Sequence, residues 1–241
     1  MHKGIFITGT DTGVGKTFVA VGLINALKEK GFNVCPMKPV ETGCRTKKGK
    51  LIPEDTMSLI KASGIKEAID VINPYRFKHP LAPSVAAELE RKSIKKEKIF
   101  SAYNYLSKKY DITIVEGAGG IMAPLYKKYL FLDFISALNL PVIIVSRPGL
   151  GTINHTLLTI SAAKGRGVNV IGVVINYARQ IKNDISVKTN PKIIESIGGI
   201  PLVDIVPYLR SSKNHGQEIF KQITENITKS LSNTNAFSKL T

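Results

Sequence analysis

With 241 residues, 43% of them hydrophobic and 22% charged, the chain is long enough to bury a sizeable core, and its composition excludes a disordered or fibrous protein. A count of 34 Lys and Arg against 18 Asp and Glu gives a formal net charge of +16, which can attract nucleic acid, acidic membranes or small anions. The lysines lie in scattered short clusters, so a solvated basic surface is favoured, with no nucleic-acid or membrane partner.

Two further absences bear on location. No apolar run approaches the roughly 20 residues that a membrane-spanning helix needs. The N-terminus lacks the apolar segment and cleavage site of a signal peptide. We therefore expect a cytoplasmic protein.

Short β-rich runs alternate with helical patterns along the chain. Strands are predicted at 4–8, 33–36, 112–116, 141–146 and 168–176, and helices at 16–30 and 152–164. Alternation of this kind predicts an α/β fold with a mostly parallel sheet flanked by helices on both faces. Ligands bind beyond the carboxyl ends of the strands in such sheets, so residues that follow a strand are the candidates for a site.

The first strand leads directly into the glycine-rich sequence Thr8–Thr17, which opens the first predicted helix. A phosphate-binding loop requires this context, because its backbone amides and the helix N-terminus attract an anion. Lys16 can reach the outer phosphates of a nucleotide, and Thr17 can offer a hydroxyl to magnesium. Thr10 stands where the general pattern has glycine, and Gly9 comes one residue early. The general match is imperfect, but Gly-Lys-Thr at a strand-to-helix junction still predicts a nucleotide site.

Three charged residues lie near the ends of predicted elements, where such residues commonly have only a structural role. Glu116 ends an apolar strand at the edge where the phosphate loop should lie; it suits magnesium, although an acid there is more often a turn or cap residue. The glycines after it favour the metal, because they let a ligand approach the backbone closely. Asp55, at a predicted helix start, would by default cap that helix. Lys38 ends the second strand, where a lone lysine is usually solvated.

Two predicted helices in the second half of the chain also have more than one possible role. Gly151–Asn154 opens a helix whose first amides can hold a carboxylate, and the alternative is a plain helix cap. Gly216–Leu231 has apolar residues at helical spacing. Glu218 and Glu225 dilute its basic character, so a helix packed on the domain is favoured over one that lies on a membrane. We expect one domain over residues 1–231 and a frayed polar tail at 232–241.

The phosphate loop in its particular form, Gly-Thr-Asp-Thr-x-Val-Gly-Lys-Thr, resembles that of the dethiobiotin synthetases, a family of the P-loop NTPase superfamily. Further blocks are similar to that family in order and spacing: Lys38–Gly43, Asn73–Phe77, Glu116–Gly120, Leu150–His155 and Pro207–Leu209. They run from the first strand to about position 210. The chain departs from the family pattern at Ser84, where histidine is frequent.

The resemblance implies an enzyme with a single-domain P-loop fold, ATP as co-substrate and Mg²⁺ as cofactor. In biotin biosynthesis, the enzyme would join CO₂ to diaminopelargonate and close the ring of dethiobiotin, with release of ADP and phosphate. The intermediates would be a carbamate and a carbonic–phosphoric mixed anhydride. The resemblance also implies a homodimer.

The resemblance assigns roles to individual residues. Lys16 and Lys38 would be catalytic, as stabilisers of the charge that develops during transfer. The metal ligands would be Thr17, Asp55 and Glu116. The ATP-binding residues would be Gly13, Val14, Gly15, Lys16, Thr17, Phe18, Asp55, Glu116, Gly117, Ala118, Gly119, Asn176, Pro207, Tyr208 and Leu209, with the Asn176 amide suited to a purine edge. The substrate-binding residues would be Thr12, Lys38, Thr42, Gly151, Thr152, Ile153 and Asn154, the last four from the neighbouring subunit.

Three other functions share the phosphate loop. Nucleotide-switch ATPases of the chromosome-partition and septum-site type carry an additional lysine early in the loop, where this chain has Asp11. Amide synthetases of the cobyrinate type need a glutaminase domain, for which no length remains. A kinase acting on a small alcohol is the residual alternative, and it would consume ATP without bicarbonate.

Overall fold

A computed structural model describes residues 4–180, 184–208 and 213–232. The strands are β1 (Gly4–Gly9), β2 (Val34–Met37), β3 (Val40–Glu41), β4 (Arg45–Lys47), β5 (Lys50–Ile52), β6 (Tyr75–Arg76), β7 (Ile112–Gly120), β8 (Pro124–Tyr126), β9 (Tyr129–Leu130), β10 (Val142–Ser146), β11 (Val170–Asn176) and β12 (Leu202–Val206). The helices are α1 (Lys16–Glu29), α2 (Glu54–Ser63), α3 (Ile69–Ile72), α4 (Pro83–Leu89), α5 (Lys96–Lys109), α6 (Phe131–Leu138), α7 (Thr152–Gly165), α8 (Ile185–Gly198) and α9 (Lys213–Ser232).

The main sheet has six parallel strands in the order β12-β11-β10-β1-β7-β2. All residues of β1, β2, β10 and β11 are buried, as expected for parallel strands that are covered on both faces. The predicted parallel sheet is therefore confirmed. Since β1 lies between β10 and β7, the carboxyl ends of these three strands meet at one edge.

Two hydrophobic cores lie on opposite faces of this sheet, and side chains alternate between them along each strand. Phe6 of β1 packs in the core that contains residues of α5, α6, α7 and α8. Ile5 and Ile7, its neighbours in the same strand, pack in the core that contains residues of α1, α2 and α9. The prediction of helices on both faces is confirmed.

The observed elements differ from the predicted ones mainly at their ends. Strand β11 begins at Val170 rather than at the predicted 168, and α9 begins at Lys213 rather than at 216. Phe220, Ile223 and Ile227 of α9 are buried, which confirms the packed interpretation of the terminal helix. The predicted polar tail is 232–241. Its first residue, Ser232, ends α9, and the rest of the tail lies outside the described residues. Within the described ranges, no helix is long and apolar enough to cross a membrane.

Candidate nucleotide and magnesium site

The phosphate loop joins the end of β1 to the start of α1. Gly13 and Gly15 have φ angles of 76° and 91°, a left-handed conformation that favours glycine. A Cβ on Gly15 would lie 2.0 Å from Nδ2 of Asn176, so this glycine also allows β11 to approach the loop closely. The Lys16 ammonium donates to the Asp11 carbonyl at 3.0 Å and so lies across the loop.

A cavity of about 380 Å³ opens beside this loop. Its walls come from the loop, the segment after β2, the start of α2 and the end of β7. The lining residues are Thr12, Gly13, Gly15, Lys16, Thr17, Phe18, Lys38, Glu41, Thr42, Asp55, Glu116, Ala118 and Gly119. The structure thus brings together most of the residues predicted for the phosphates, the metal and the reacting end of the substrate. Gly117 is buried in β7, between two of them.

Lys38 is the most enclosed cation of the cavity, with only 3% of its side chain exposed. Its Nζ lies 2.5 Å from Oε1 of Glu116 and 2.9 Å from Oδ2 of Asp55. Burial favours the neutral amine, but these two carboxylates outweigh it and raise the pKa of Lys38 above its ordinary value. Lys38 is therefore a buried, charged residue, and its interpretation as a solvated lysine is wrong.

Glu116 has an acceptor that is still free to bind a ligand. Its Oε1 accepts from Lys38 and, at 2.8 Å, from the Thr17 hydroxyl. Its Oε2 is buried and has no hydrogen-bond partner among the described residues. With Asp55 beside it, the site offers two carboxylates and a hydroxyl to a cation. Magnesium is commonly held by one or two carboxylates together with phosphate oxygens and water, so these residues fit it.

The protein groups alone do not form a closed metal cage. In the described part of the chain, no cluster of three or more His, Cys, Asp or Glu side chains could hold an ion. A magnesium ion at Thr17, Asp55 and Glu116 would therefore need the phosphates of a nucleotide as further ligands.

Asp55 is the second residue of α2 and does not cap it. The N-cap residue is Pro53, which has no side-chain oxygen. The capping hydrogen bonds come from Glu41, whose carboxylate accepts from the backbone N–H groups of Asp55 and Thr56 at 3.0 and 2.9 Å. Sequence reasoning missed Glu41. The available signal was its place between Lys38 and Thr42, in a block already assigned to the site.

Lys16 has electrostatic surroundings unlike those of Lys38. Burial and the nearby charge of Lys38 lower the pKa of Lys16 to about 8. The Lys16 ammonium donates to the uncharged carbonyl of Asp11, so Lys16 is suited to receive an anion.

A second cavity of about 340 Å³ shares Thr12 and Gly13 with the first. Its other lining residues are Val14, Arg147, Pro148, Asn176, Ala178 and Arg179. Asn176 is 2% exposed and donates from Nδ2 to the Val14 carbonyl at 2.8 Å. One donor of the amide predicted to bind a purine therefore already braces the loop. The two arginines were not predicted.

Other predicted residues lie outside both cavity walls. Gly151 precedes α7 with a φ angle of 88°, Thr152 is buried, and Asn154 is exposed in the first turn. Pro207 and Tyr208 follow β12, and Tyr208 is 43% exposed. Leu209 lies outside the described residues. Among the described residues, the members of these two predicted groups line neither the first nor the second cavity.

Solved structures share the fold. A chain of the MinC:MinD cell division protein complex from Aquifex aeolicus aligns with a TM-score of 0.61 at 15% identity, over 95% of this chain and 96% of that one. The pNOB8 ParA protein, bound to nonspecific DNA, aligns with a TM-score of 0.60 at 12% identity, over 98% and 100% of the two chains. With the phosphate loop and its lysine in place, the fold and the site define a P-loop NTPase.

Sequence comparisons narrow this class. A family model described as an AAA domain matches residues 3–216. The ATP-dependent dethiobiotin synthetase BioD of Thermodesulfovibrio yellowstonii is 45% identical over 87% of this chain and 90% of its own length. The protein of the same name from Methanocaldococcus jannaschii is 43% identical over 84% and 92%. The chain belongs to the ATP-dependent dethiobiotin synthetase family.

Proposed function

We propose that the protein catalyses the ATP- and magnesium-dependent conversion of diaminopelargonate and CO₂ to dethiobiotin in biotin biosynthesis. One observation carries the proposal beyond family membership. A single cavity holds the phosphate loop, the buried Lys38 between two carboxylates, and the hydroxyls of Thr12 and Thr42. This set suits a reaction in which an anion attacks a phosphate group and all intermediates are anionic.

The proposed chemistry has three steps. One amine of the substrate adds to CO₂ and loses a proton, which gives a carbamate. A carbamate oxygen then attacks the γ-phosphorus of ATP, and the bond from this phosphorus to the ADP oxygen breaks. Finally, the second amine attacks the carbonyl carbon of the mixed anhydride, the carbon–oxygen bond to phosphate breaks, and a second proton is released as the ring closes.

Residues of the cavity have distinct roles in this proposal. Lys16 holds the outer phosphates, and Lys38 stabilises the negative charge shared by the carbamate and the γ-phosphate. Thr12 and Thr42 orient the diamine and the carbamate by hydrogen bonds. Bound magnesium, held by Thr17, Asp55 and Glu116, would supply positive charge to the phosphate oxygens.

The two lysines allow a test. Purified protein is assayed for dethiobiotin by mass spectrometry with ATP, Mg²⁺, diaminopelargonate and bicarbonate, each omitted in turn. We expect Lys16→Gln to lose ATP binding and turnover together. Lys38→Gln should keep ATP binding within a few-fold but lose turnover, because an interaction made mainly with developing charge affects the rate.

Lys30→Gln, at an exposed position at the end of α1, is the matched control and should behave like the wild type. ATP consumption that needs neither diamine nor bicarbonate, and that yields no dethiobiotin, would refute the proposed function. Normal turnover of Lys38→Gln would remove only that residue from the mechanism.

A further inference from the structure

Glu41 is a buried carboxylate in the cavity wall for which the proposed chemistry has no direct use. It is 4% exposed and lies in the short strand β3, which pairs with β6. Its carbonyl accepts from the backbone N–H of Phe77 at 2.9 Å, which fixes its backbone. Thr42, proposed to bind the substrate, is the next residue.

The carboxylate of Glu41 caps helix α2 from a distance of 14 to 15 residues along the chain. The first N–H groups of a helix have no partner within the helix, and a proline at the N-cap position cannot supply one from its side chain. Oε1 of Glu41 accepts from Asp55 N, and Oε2 accepts from Thr56 N. Oε2 also accepts from the Thr56 hydroxyl at 2.6 Å, so both oxygens are engaged.

One of the two backbone N–H groups that Glu41 binds belongs to Asp55, which is a proposed metal ligand. The backbone N–H of Asp55 is bound to Glu41, while the side chain of Asp55 is 2.9 Å from Lys38 and 47% exposed. A half-exposed carboxylate at a helix start can adopt several rotamers if the backbone beneath it moves. The bonds from Glu41 hold that backbone in a defined place relative to β3.

We propose that Glu41 is a positioning residue, which holds the start of α2 so that the Asp55 carboxylate faces Lys38 and the magnesium site. Since Thr42 is adjacent to Glu41, the same carboxylate links the substrate-binding segment to the metal ligand. The inference rests on the proposed function, because it takes Asp55 as a metal ligand. Outer partners of metal ligands typically contribute about 10- to 100-fold to metal affinity.

A binding experiment separates positioning from simple helix capping. The affinity of Mn²⁺ is measured by electron paramagnetic resonance in the presence of a non-hydrolysable ATP analogue, and the melting temperature is measured by circular dichroism. Glu41→Ala should weaken Mn²⁺ binding about 10-fold or more. Glu41→Gln should also weaken Mn²⁺ binding, but by less, because its single amide oxygen can replace only one of the two carboxylate acceptors.

Asp184→Ala supplies the matched control. Asp184 caps α8 with the same type of bonds, from the Ser186 N–H at 2.9 Å and the Ser186 hydroxyl at 2.7 Å. It lines neither cavity wall described above. This variant should lower the melting temperature and leave the Mn²⁺ affinity unchanged.

Wild-type Mn²⁺ affinity in Glu41→Ala, with a melting temperature reduced as in Asp184→Ala, would overturn the inference. If Glu41→Ala does not fold, wild-type Mn²⁺ affinity in Glu41→Gln with a lowered melting temperature has the same meaning. The proposed function fails separately, when the wild-type protein forms no dethiobiotin.

Discussion

At the scale of single residues, the candidate site holds two buried lysines whose pKa values are shifted in opposite directions. The carboxylates of Glu116 and Asp55 balance the charge of Lys38 and raise its pKa. Burial and the charge of Lys38 lower the pKa of Lys16 to about 8. Lys38 is thus charged before any ligand binds, whereas Lys16 gains most from the arrival of phosphates.

The lowered pKa of Lys16 predicts a pH-dependent affinity for ATP. Above pH 8 the free protein increasingly carries a neutral Lys16, while bound phosphates favour the ammonium form. ATP affinity should therefore fall by up to about tenfold per pH unit above this value, and binding should take up a proton. Titration calorimetry at pH 7 to 9.5, in two buffers of different ionisation enthalpy, measures both quantities.

Lys16→Arg is the control for this prediction, because a guanidinium stays charged throughout the range. The variant should lack the Lys16-dependent part of the pH dependence, whatever its absolute affinity. A wild-type ATP affinity that is constant from pH 7 to 9.5 would show that Lys16 does not titrate there.

At the scale of elements, local patterns predict the parts of the fold whose conformation is decided locally. The loop before α1 is one such part. Its glycines and its Gly-Lys-Thr sequence suffice to predict it, and the structure shows that glycines of the loop have positive φ angles. The edge strand β12 was not predicted. Only Val203 and Val206 of its residues are fully buried, and Asp204 interrupts the apolar run, so its pattern resembles that of a loop.

The packing of α1 against α9 gives a prediction at this scale. A Cβ added to Gly22 of α1 would lie 2.2 Å from ring atoms of Phe220, which is buried in α9. Gly22→Ala must therefore displace α9 or the ring, and it should reduce the free energy of unfolding by about 1–3 kcal/mol. Chemical denaturation measures this change.

Gly165→Ala, in the last turn of α7, is the matched control. A Cβ at Gly165 would meet no atom within 4 Å. This change should be neutral or stabilising by up to about 1 kcal/mol, because alanine favours the helix and restricts the unfolded chain. Equal effects of the two substitutions would contradict the packing of α9 described here.

At the scale of the whole molecule, the site depends on neighbours that are distant in sequence. Lys38 and Glu116 are 78 residues apart and meet because β2 lies beside β7 in the sheet. Alternation of strands and helices predicts a parallel sheet but not its strand order, so the pair was reached through family resemblance. Glu41 was missed for a related reason, since nothing local indicates that a glutamate will be buried as the cap of a later helix.

The homodimer implied by the family resemblance has support on the side of α7 and α8. These two helices contact each other, and several of their large apolar side chains are exposed: Leu158 at 62%, Ile185 at 78% and Ile197 at 67%. Leu150, just before α7, is 86% exposed. Exposed apolar side chains on adjoining helices can form a binding interface, and Leu150 directly precedes the helix start that the family resemblance assigns to substrate binding.

We therefore expect a dimer of twice the 26.3 kDa chain mass in sedimentation experiments. Leu158→Asp should shift the mass towards the monomer, since it places a charge on this apolar surface, whereas Leu89→Asp on α4 should not. Asn154→Ala should remain dimeric and mainly raise the KM for diaminopelargonate. A fully active wild-type monomer would exclude a substrate site shared between subunits.

The central claim concerns which atom attacks the γ-phosphorus of ATP. In a switch ATPase this atom is a water oxygen, and in a kinase it is a substrate hydroxyl oxygen. In the proposed reaction it is a carbamate oxygen that originates from CO₂ and remains on phosphorus when the ring closes. The most direct measurement is a rapid reaction in unlabelled water with diaminopelargonate, ATP and freshly added ¹⁸O-labelled CO₂, followed by mass spectrometry of the phosphate. We predict that inorganic phosphate carries the label; phosphate with only solvent oxygen, while the dissolved CO₂ is shown to remain labelled, would contradict the account.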